Sequence, residues 1–205
     1  MKRPVPPSDL LEHEWCEESL FAPAQEIYEW LHFCILNENS ELFNEDHAHL
    51  IEHDGVCFLW CDSAFVKRGR RVLGQAELIQ FKVSGWQKYR QEAQMIKWFG
   101  FLPKALITLD AHYCAECSDS EFMALIEHEL YHIGVERDED GEIIYSDMTG
   151  LPKHYLAGHD VEVFFGETKR WGADDSVKRL VEIAKNAPFV SETSIAACCG
   201  NCVIG

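Results

Sequence analysis

The sequence lacks any long apolar run, and it lacks an apolar stretch behind its basic first residues. No segment reaches the ~18 consecutive apolar residues of a membrane-spanning helix, so we expect no membrane partner. Residues 1–7 carry two basic side chains, but no apolar core follows them, which argues against a secretory signal. We therefore expect a location in the cytoplasm of the producing or host cell.

Positive charge is also scarce. The chain has 18 Lys and Arg residues against 35 Asp and Glu, for a formal net charge of −17. Tight binding to nucleic acid needs Lys and Arg against phosphates, so we do not expect a nucleic-acid partner. Basic residues cluster only at 67–71, Lys-Arg-Gly-Arg-Arg. We interpret this cluster as a solvated hairpin turn, with a local nucleic-acid contact as the alternative.

The cysteine pattern does not suggest a disulfide framework. Nine cysteines are an odd number, and without a secretory signal such a set favours reduced thiols. Cys114-x-x-Cys117 and Cys199-x-x-Cys202 have zinc-knuckle spacing, so a second, structural zinc site is the alternative. We expect the thiols to be free of metal because the second pair lies at the C-terminus, where chains usually fray.

The remaining pattern is typical of a globular protein with a mixed fold. Its 205 residues, of which 47% are hydrophobic, are enough for one core. The predicted strands lie at 56–60, 71–83 and 105–110, and the predicted helices at 10–36, 41–52, 85–99, 118–133, from about 159, and 174–185. The predicted strands cluster before the helix at 118–133, and helices follow it. This order predicts an α+β fold with a small sheet.

Three regions are predicted along the chain. Residues 1–9 are Pro-rich and expected to be disordered. Residues 10–190 are expected to form a single domain, and residues 191–205 a Cys-rich C-terminal tail.

The strongest functional signal is His-Glu-x-x-His at residues 128–132. His128 and His132 are four residues apart, so on a helix both imidazoles can reach a single metal ion. Glu129 follows the first histidine and can take the proton of a metal-activated water. The motif therefore predicts a catalytic zinc site with Glu129 as the general base.

The surrounding residues predict a helix for this motif. Ser118 with Glu121 three residues later is a capping-box start, and Gly134 lies where the helix should end. One buried face is predicted by the apolar residues Phe122, Leu125, Ile126, Leu130 and Ile133. The two histidines occupy a different face, so they should look into a groove or solvent.

A catalytic zinc usually has three protein ligands and a water. The metzincin continuation would place Gly and His where this chain has Val135 and Asp138, which excludes that class. His159 is the favoured third ligand, since a neutral imidazole keeps the ion Lewis acidic. Glu162 shares its predicted helix face and stays open as the alternative. Asp160, and Glu162 if it is not a ligand, would then orient an imidazole.

Other histidines compete with this interpretation. Residues 49–53, His-x-x-Glu-His, form the reversed motif that also serves zinc peptidases. We discount it because the segment is short and Asp54-Gly55 ends it at once; His47 and His49 are expected to be surface residues. His154, in a Pro-Lys-His-Tyr loop, is a weaker candidate for the third ligand.

A peptidase site also needs a group that stabilises the oxyanion. The candidates are Tyr131, Tyr145, His154 and Tyr155. We favour Tyr155 or His154, which lie in the loop before His159.

These motifs resemble the putative phage metallopeptidase family. The likeness is carried by His-Glu-Leu-x-His at 128–132, His-Asp-x-Glu-x-Phe at 159–164 and Arg-Val-Leu-Gly-Gln-Ala at 71–76, and it covers about residues 45–170. The chain is also distantly similar to the SprT-like zincins, in which a histidine beside a small residue supplies the third ligand.

The resemblance implies a zincin-like fold, with a sheet packed over the motif helix and substrate along an edge strand. By that analogy residues 105–110 are the candidate edge strand. It also implies that His128, His132 and His159 bind one catalytic Zn²⁺ and that Glu129 is the base.

Two function classes follow. The first is a zinc metallopeptidase that hydrolyses peptide bonds with a zinc-activated water and Glu129 as general base. The alternative is a non-enzymatic, zinc-containing acidic protein that occupies a basic partner. A fourth protein ligand would close the zinc site and favour the alternative, because a catalytic zinc keeps an open position.

Overall fold

The computed structural model describes residues 2–12, 20–50, 55–63, 65–67, 69–147, 150–161 and 165–189. Within these ranges the α-helices are α1 (Ser8–Glu12), α2 (Gln25–Cys34), α3 (Gly85–Phe99), α4 (Ala111–Glu116), α5 (Asp119–Tyr131), α6 (Phe165–Trp171) and α7 (Asp175–Ala184). A 3₁₀ helix spans Glu45–Leu50. None of the described helices combines the length and the apolar content needed to cross a membrane.

The strands form one four-stranded sheet and two hairpins. They are β1 (Phe21–Pro23), β2 (Val56–Cys61), β3 (Phe65–Lys67), β4 (Arg70–Val72), β5 (Gly74–Leu78), β6 (Ala105–Asp110), β7 (Ile133–Val135) and β8 (His154–Leu156). The sheet order is β1-β2-β6-β5, in which β2 and β6 are parallel and the other pairs antiparallel. β3 pairs with β4, and β7 pairs with β8.

Helices cover both faces of the sheet. Neighbouring residues of a strand point to opposite faces, and the two sets belong to different cores. The larger core joins the sheet to α2 and α5 and includes Ile27, Trp30, Phe58, Trp60, Ile107, Phe122 and Ile126. The smaller core joins it to α3 and consists of Leu59, Met95, Phe99 and Leu106. The α+β prediction is confirmed: one small mixed sheet lies between α3 and the α2–α5 layer.

Several predicted elements have the expected bounds. β6 spans 105–110 and α3 spans 85–99. α3 ends at Gly100, whose φ of 82° is a left-handed conformation that suits glycine. The described residues of the basic cluster lie on a hairpin, as interpreted: Lys67 of β3 pairs with Arg70 of β4, and Arg68 lies outside the described residues.

The prediction that 105–110 is an edge strand was wrong. β6 lies between β2 and β5, and five of its six residues are buried. Such a continuous apolar run is typical of a central strand, which has a neighbouring strand on each side and is covered on both faces of the sheet. The edge strand next to α5 is β5, which contacts α5, β7 and β8. β5 has five residues, so it is shorter than the strand predicted over 71–83.

Pro4 and Pro6 are buried and α1 begins at Ser8, while the disorder of residues 1–9 stays a prediction. One N-terminal prediction needs a correction. The predicted helix over 10–36 is interrupted by β1 before α2 starts. Pro23 explains the interruption, because the residue before a proline favours extended backbone. Residues 13–19 and the tail at 191–205 lie outside the described residues.

Arg3 supplies the contacts that hold the N-terminal segment. Its Nη1 and Nη2 donate to the main-chain carbonyls of Cys114 and Cys117 at 2.8 and 2.7 Å. Its Nε lies 2.8 Å from an Asp119 carboxylate oxygen, and the guanidinium stands 5.2 Å from the Phe122 ring centroid. One side chain therefore joins the end of α4 to the start of α5, which offsets the entropy of ordering the segment.

Candidate metal centre

The start of α5 is fixed by its own sequence. Ser118 Oγ accepts a hydrogen bond from the Glu121 main-chain N–H at 3.3 Å, and Glu121 Oε2 accepts one from the Ser118 N–H at 2.8 Å. This reciprocal pair is the predicted capping box. It sets where the helix begins, and so which residues of the motif share a face.

The end of α5 brings three histidines together. The ring centroids of His128, His132 and His159 lie 5.2 Å apart in all three pairings. Their candidate ligand atoms lie within 4.8 Å of one another, and the Nε2 atoms of His128 and His159 are 3.4 Å apart. In the part of the chain that the structure describes, these are the His, Cys, Asp or Glu side chains grouped closely enough to hold one ion.

The β7–β8 hairpin places His159 in this group. β7 follows α5 directly, and β8 returns antiparallel to it. Just beyond β8, the Ala157 N–H donates to the His132 carbonyl at 2.8 Å. His132 Nδ1 lies 2.7 Å from the Ala157 carbonyl oxygen. This paired contact ties the backbone two residues before His159 to the second histidine of the motif.

The same contact orients His132. A ring nitrogen facing a carbonyl oxygen carries the proton, which leaves Nε2 as the atom with a lone pair. We expected a carboxylate from Asp160 or Glu162 to orient an imidazole, but for His132 a main-chain carbonyl does so. Asp160 is exposed, and Glu162 lies outside the described residues. No side-chain pattern could have signalled a main-chain partner.

His159 does not lie on a helix, which corrects the prediction for this segment. Residues 157–161 are irregular, and α6 begins only at Phe165. The pairing of Ala157 with His132 holds the chain in an extended path at this point. The described residues therefore give no support to a helix face shared by His159 and Glu162.

Glu129 occupies the face of α5 that turns toward β5. Its side chain is buried, and its carboxylate lies against Gly74, the first residue of that strand. A glycine inside a strand pattern signals a close backbone approach, so Gly74 is a site residue that sequence reasoning missed although a signal was present.

The electrostatics of the histidines suit metal binding. Burial, together with the rings of His132 and His159, lowers the pKa of His128 to about 4. Burial also lowers the pKa of His132, although the Ala157 carbonyl opposes that shift. At neutral pH both imidazoles are therefore uncharged, and an uncharged imidazole is the form that binds a metal.

The donor set fits a zinc ion. Two nitrogens at about 2.05 Å from one tetrahedral zinc are about 3.3 Å apart, and the His128 and His159 Nε2 atoms are 3.4 Å apart. Three neutral imidazoles are also a donor set found in catalytic zinc sites. Within the described ranges no fourth side chain joins the group.

The oxyanion candidates lie in different places. The Tyr131 hydroxyl donates to Asp46 at 2.8 Å, so it is held on the side of α5 that faces the 3₁₀ helix. The Tyr155 ring crosses β7 at Gly134, where an added Cβ would lie 2.5 Å from Cζ. Tyr131 and Tyr155 line one open groove of about 700 Å³ that also includes Ala157. His154 Nδ1 lies 3.1 Å from the Pro152 carbonyl oxygen.

Gly134 has a different role from the one predicted. α5 ends at Tyr131 with His132 as its C-cap, in an ordinary right-handed conformation. Gly134 lies within β7, where its missing side chain makes room for the Tyr155 ring.

The competing reversed motif falls partly outside the described residues, which include His49 but not Glu52 or His53. Both ring nitrogens of His49 face main-chain carbonyl oxygens, of Asp46 at 3.1 Å and of Ile133 at 2.8 Å. The expectation that His47 is a surface residue was wrong. It is 1% exposed and packs on the Tyr131 ring at 4.6 Å, so it is part of the packing between the 3₁₀ helix and α5.

Of the two Cys-x-x-Cys pairs, only the first lies within the described residues. Cys114 and Cys117 are buried thiols at the end of α4, beneath Arg3. Cys199 and Cys202 belong to the tail that is not described. Reduced thiols and a second zinc site both stay predictions.

A family model described as putative phage metallopeptidase matches residues 25–185. This match covers well over half of the chain and extends beyond residues 45–170, where the resemblance was recognised. A metallopeptidase family implies a metal ion and a peptide or protein substrate. The comparisons with curated proteins and with solved structures give no match. On the extent of the family match, the chain belongs to the putative phage metallopeptidase family.

Proposed function

We propose that the protein is a zinc-dependent peptidase, with His128, His132 and His159 as the ligands of one Zn²⁺ and Glu129 as the general base. The observation that carries this proposal is the group of three imidazoles, together with the burial of the glutamate that follows His128 in the motif. A chance cluster of surface histidines would not include one ring that is 2% exposed and oriented by a main-chain carbonyl.

Each residue of the site has a role in the proposed reaction. The three imidazoles hold the ion, and the Ala157 carbonyl keeps His132 in the tautomer that presents Nε2. Bound zinc would supply Lewis acidity, which polarises a carbonyl and lowers the pKa of water toward about 7. Because the ligands are neutral, they leave the positive charge of the ion undiminished.

Glu129 is the proposed group that transfers the proton of the attacking water. A carboxylate accepts a proton from the attacking water and can then deliver it to the leaving amine. Glu129 directly follows His128 on α5, and its carboxylate lies against Gly74 of β5.

The alternative remains a non-enzymatic acidic protein in which zinc is structural. That function needs a fourth protein ligand, and no such group joins the three histidines within the described ranges. A cytoplasmic location and a protein or peptide substrate belong to the proposal. The net charge of −17 supports a substrate other than nucleic acid.

Glu129→Gln tests the proposed mechanism. Glutamine is nearly the same size but has no basic oxygen at neutral pH. We expect the variant to keep its zinc and to cleave a peptide library at least about 10²-fold more slowly. Glu127→Gln is the matched control: Glu127 accepts from Asn44 Nδ2 at 2.8 Å, on the side of α5 away from β5, and an amide oxygen can do the same. The control should retain full activity.

The outcomes separate enzyme from binder. Equal cleavage by wild type and Glu129→Gln would show that Glu129 is not the base. If neither protein cleaves any peptide although both hold one zinc, the binding function is favoured. Loss of zinc from Glu129→Gln would place Glu129 among the ligands, contrary to the proposal.

A further inference from the structure

We propose that Gly74 is a positioning residue for Glu129: the missing side chain at the start of β5 is what allows the buried carboxylate to occupy its place between α5 and that strand. This inference rests on the proposed function, since it concerns how the base of that reaction is held. It adds an element of the site that lies 54 residues before the motif, on a different strand.

The distances support a requirement for space. An ideal Cβ built on Gly74 would stand 2.7 Å from Glu129 Oε1, 2.9 Å from Cγ and 3.0 Å from Cδ. Real Cβ atoms essentially never lie closer than 3.0 Å to another heavy atom. Any side chain at position 74 must therefore move Glu129, move β5, or move both.

Backbone conformation does not explain the glycine. Gly74 is not among the glycines with positive φ, and it pairs with Leu109 in the regular antiparallel ladder of β5 and β6. Any L-residue could adopt that backbone without strain. Glycine is needed here because the strand and the carboxylate approach each other so closely.

The carboxylate is the part that would yield. The helix cannot easily retreat, since Ile126 and Leu130 beside Glu129 are fully buried in the larger core. β5 is held by its ladder to β6. The end of a glutamate side chain turns about three torsions, so a methyl group at 74 should displace the carboxylate while the backbone stays in place. We therefore expect a loss of activity out of proportion to the loss of stability.

Gly74→Ala and Glu129→Ala, alone and combined, test the contact through activity. Alanine at 129 lacks Cγ, Cδ and the carboxylate oxygens, so it leaves free the space that the methyl group at position 74 would fill. Gly74→Ala should keep one zinc and its KM but lower kcat by about 10²-fold, as a misplaced catalytic group does. Glu129→Ala should also be slow, and adding Gly74→Ala to it should cause no further loss. Full activity of Gly74→Ala, or losses that multiply in the double variant, would overturn the proposal.

A second measurement does not depend on activity. In the metal-free protein, Gly74→Ala should lower the urea midpoint by about 0.5 M when residue 129 is Glu and by much less when it is Ala. Gly134→Ala is the control, because its methyl would meet Tyr155 and not Glu129. Its effect on the midpoint should be the same in both backgrounds. An equal effect of Gly74→Ala in both backgrounds would contradict the contact.

These readouts distinguish the two proposals. If wild type cleaves no peptide, the proposed function fails, and the urea coupling alone decides whether Gly74 positions Glu129. If Gly74→Ala does not fold, the double variant Gly74→Ala/Glu129→Ala decides. Recovery of folding when the Glu129 side chain is removed supports the inference, and continued failure to fold overturns it.

Discussion

The two ends of α5 are built in different ways. At the N-terminal end, Ser118 and Glu121 cap each other within four residues of sequence, and Arg3 adds a charged donor across the junction with α4. At the C-terminal end, the chain turns into β7, and His132 is tied to Ala157 on the return strand. One end is closed by local polar pairs, and the other is held by a hairpin.

The difference separates stability from chemistry. Every polar contact named at the N-terminal end joins a donor to an acceptor, so that these contacts hold the helix. At the C-terminal end three imidazoles lie close enough together to bind one cation, and binding it would add to the stability of the fold. Changes at the first end should alter folding, and changes at the second should alter metal binding.

The largest effect should come from His159 at the C-terminal end. His159→Ala should weaken zinc binding by orders of magnitude, because one of three ligands is lost. Glu162→Ala should cost only about 10–100-fold, as the loss of a group that orients a ligand does. Zinc affinity by competition with a chelator measures both. The reverse order would make Glu162 the ligand and His159 a neighbour.

Arg3→Ala should affect the other end. Two main-chain carbonyls at the end of α4 lose their charged donor, so the free energy of unfolding should fall by about 2 kcal/mol. The ion pair with Asp119 adds little, since that carboxylate is 85% exposed. Urea unfolding measures the change, and zinc content should stay the same. Arg70→Ala, on the exposed β3–β4 hairpin, is the control. A change below about 0.5 kcal/mol would contradict this role for Arg3.

A smaller effect is expected when the pH of the metal-free protein is lowered, and it concerns the free energy of unfolding. The pKa of His128 and that of His47 are each lowered from 6.5 to about 4 by burial. The unfolded chain therefore binds more protons across that window, and the free energy of unfolding falls as pH decreases from about 6.5 toward 4. Urea midpoints between pH 7 and 5 should fall, and the fall should be smaller in His47→Phe. A flat profile would contradict the pKa shifts.

Local features of α5 could be read from sequence alone. The capping box at Ser118 and the two motif histidines depend on residues no more than four apart, and so does the amphipathic pattern of α3. β6 was also recognisable as a strand, since a short apolar run between Pro103 and Asp110 is typical of one. The position of β6 within the sheet was not, because the same run does not say which strands flank it.

The C-terminal end of the site depends on contacts that no local pattern encodes. β7 and β8 have three residues each and are separated by a long acidic loop, so neither shows a clear period of two. His159 was chosen for its chemistry, but the helix predicted for it is absent from residues 157–161. Its place beside His132 follows from a main-chain pairing with Ala157, which side-chain identities do not report.

The most direct test of the proposed metal site is the zinc content of the purified protein. We expect about one zinc per chain in the wild type, and essentially none in the double variant His128→Ala/His132→Ala. Removing residues 196–205, with their three cysteines, should leave the content at one. A double variant that still holds a full equivalent of zinc would contradict the histidine site.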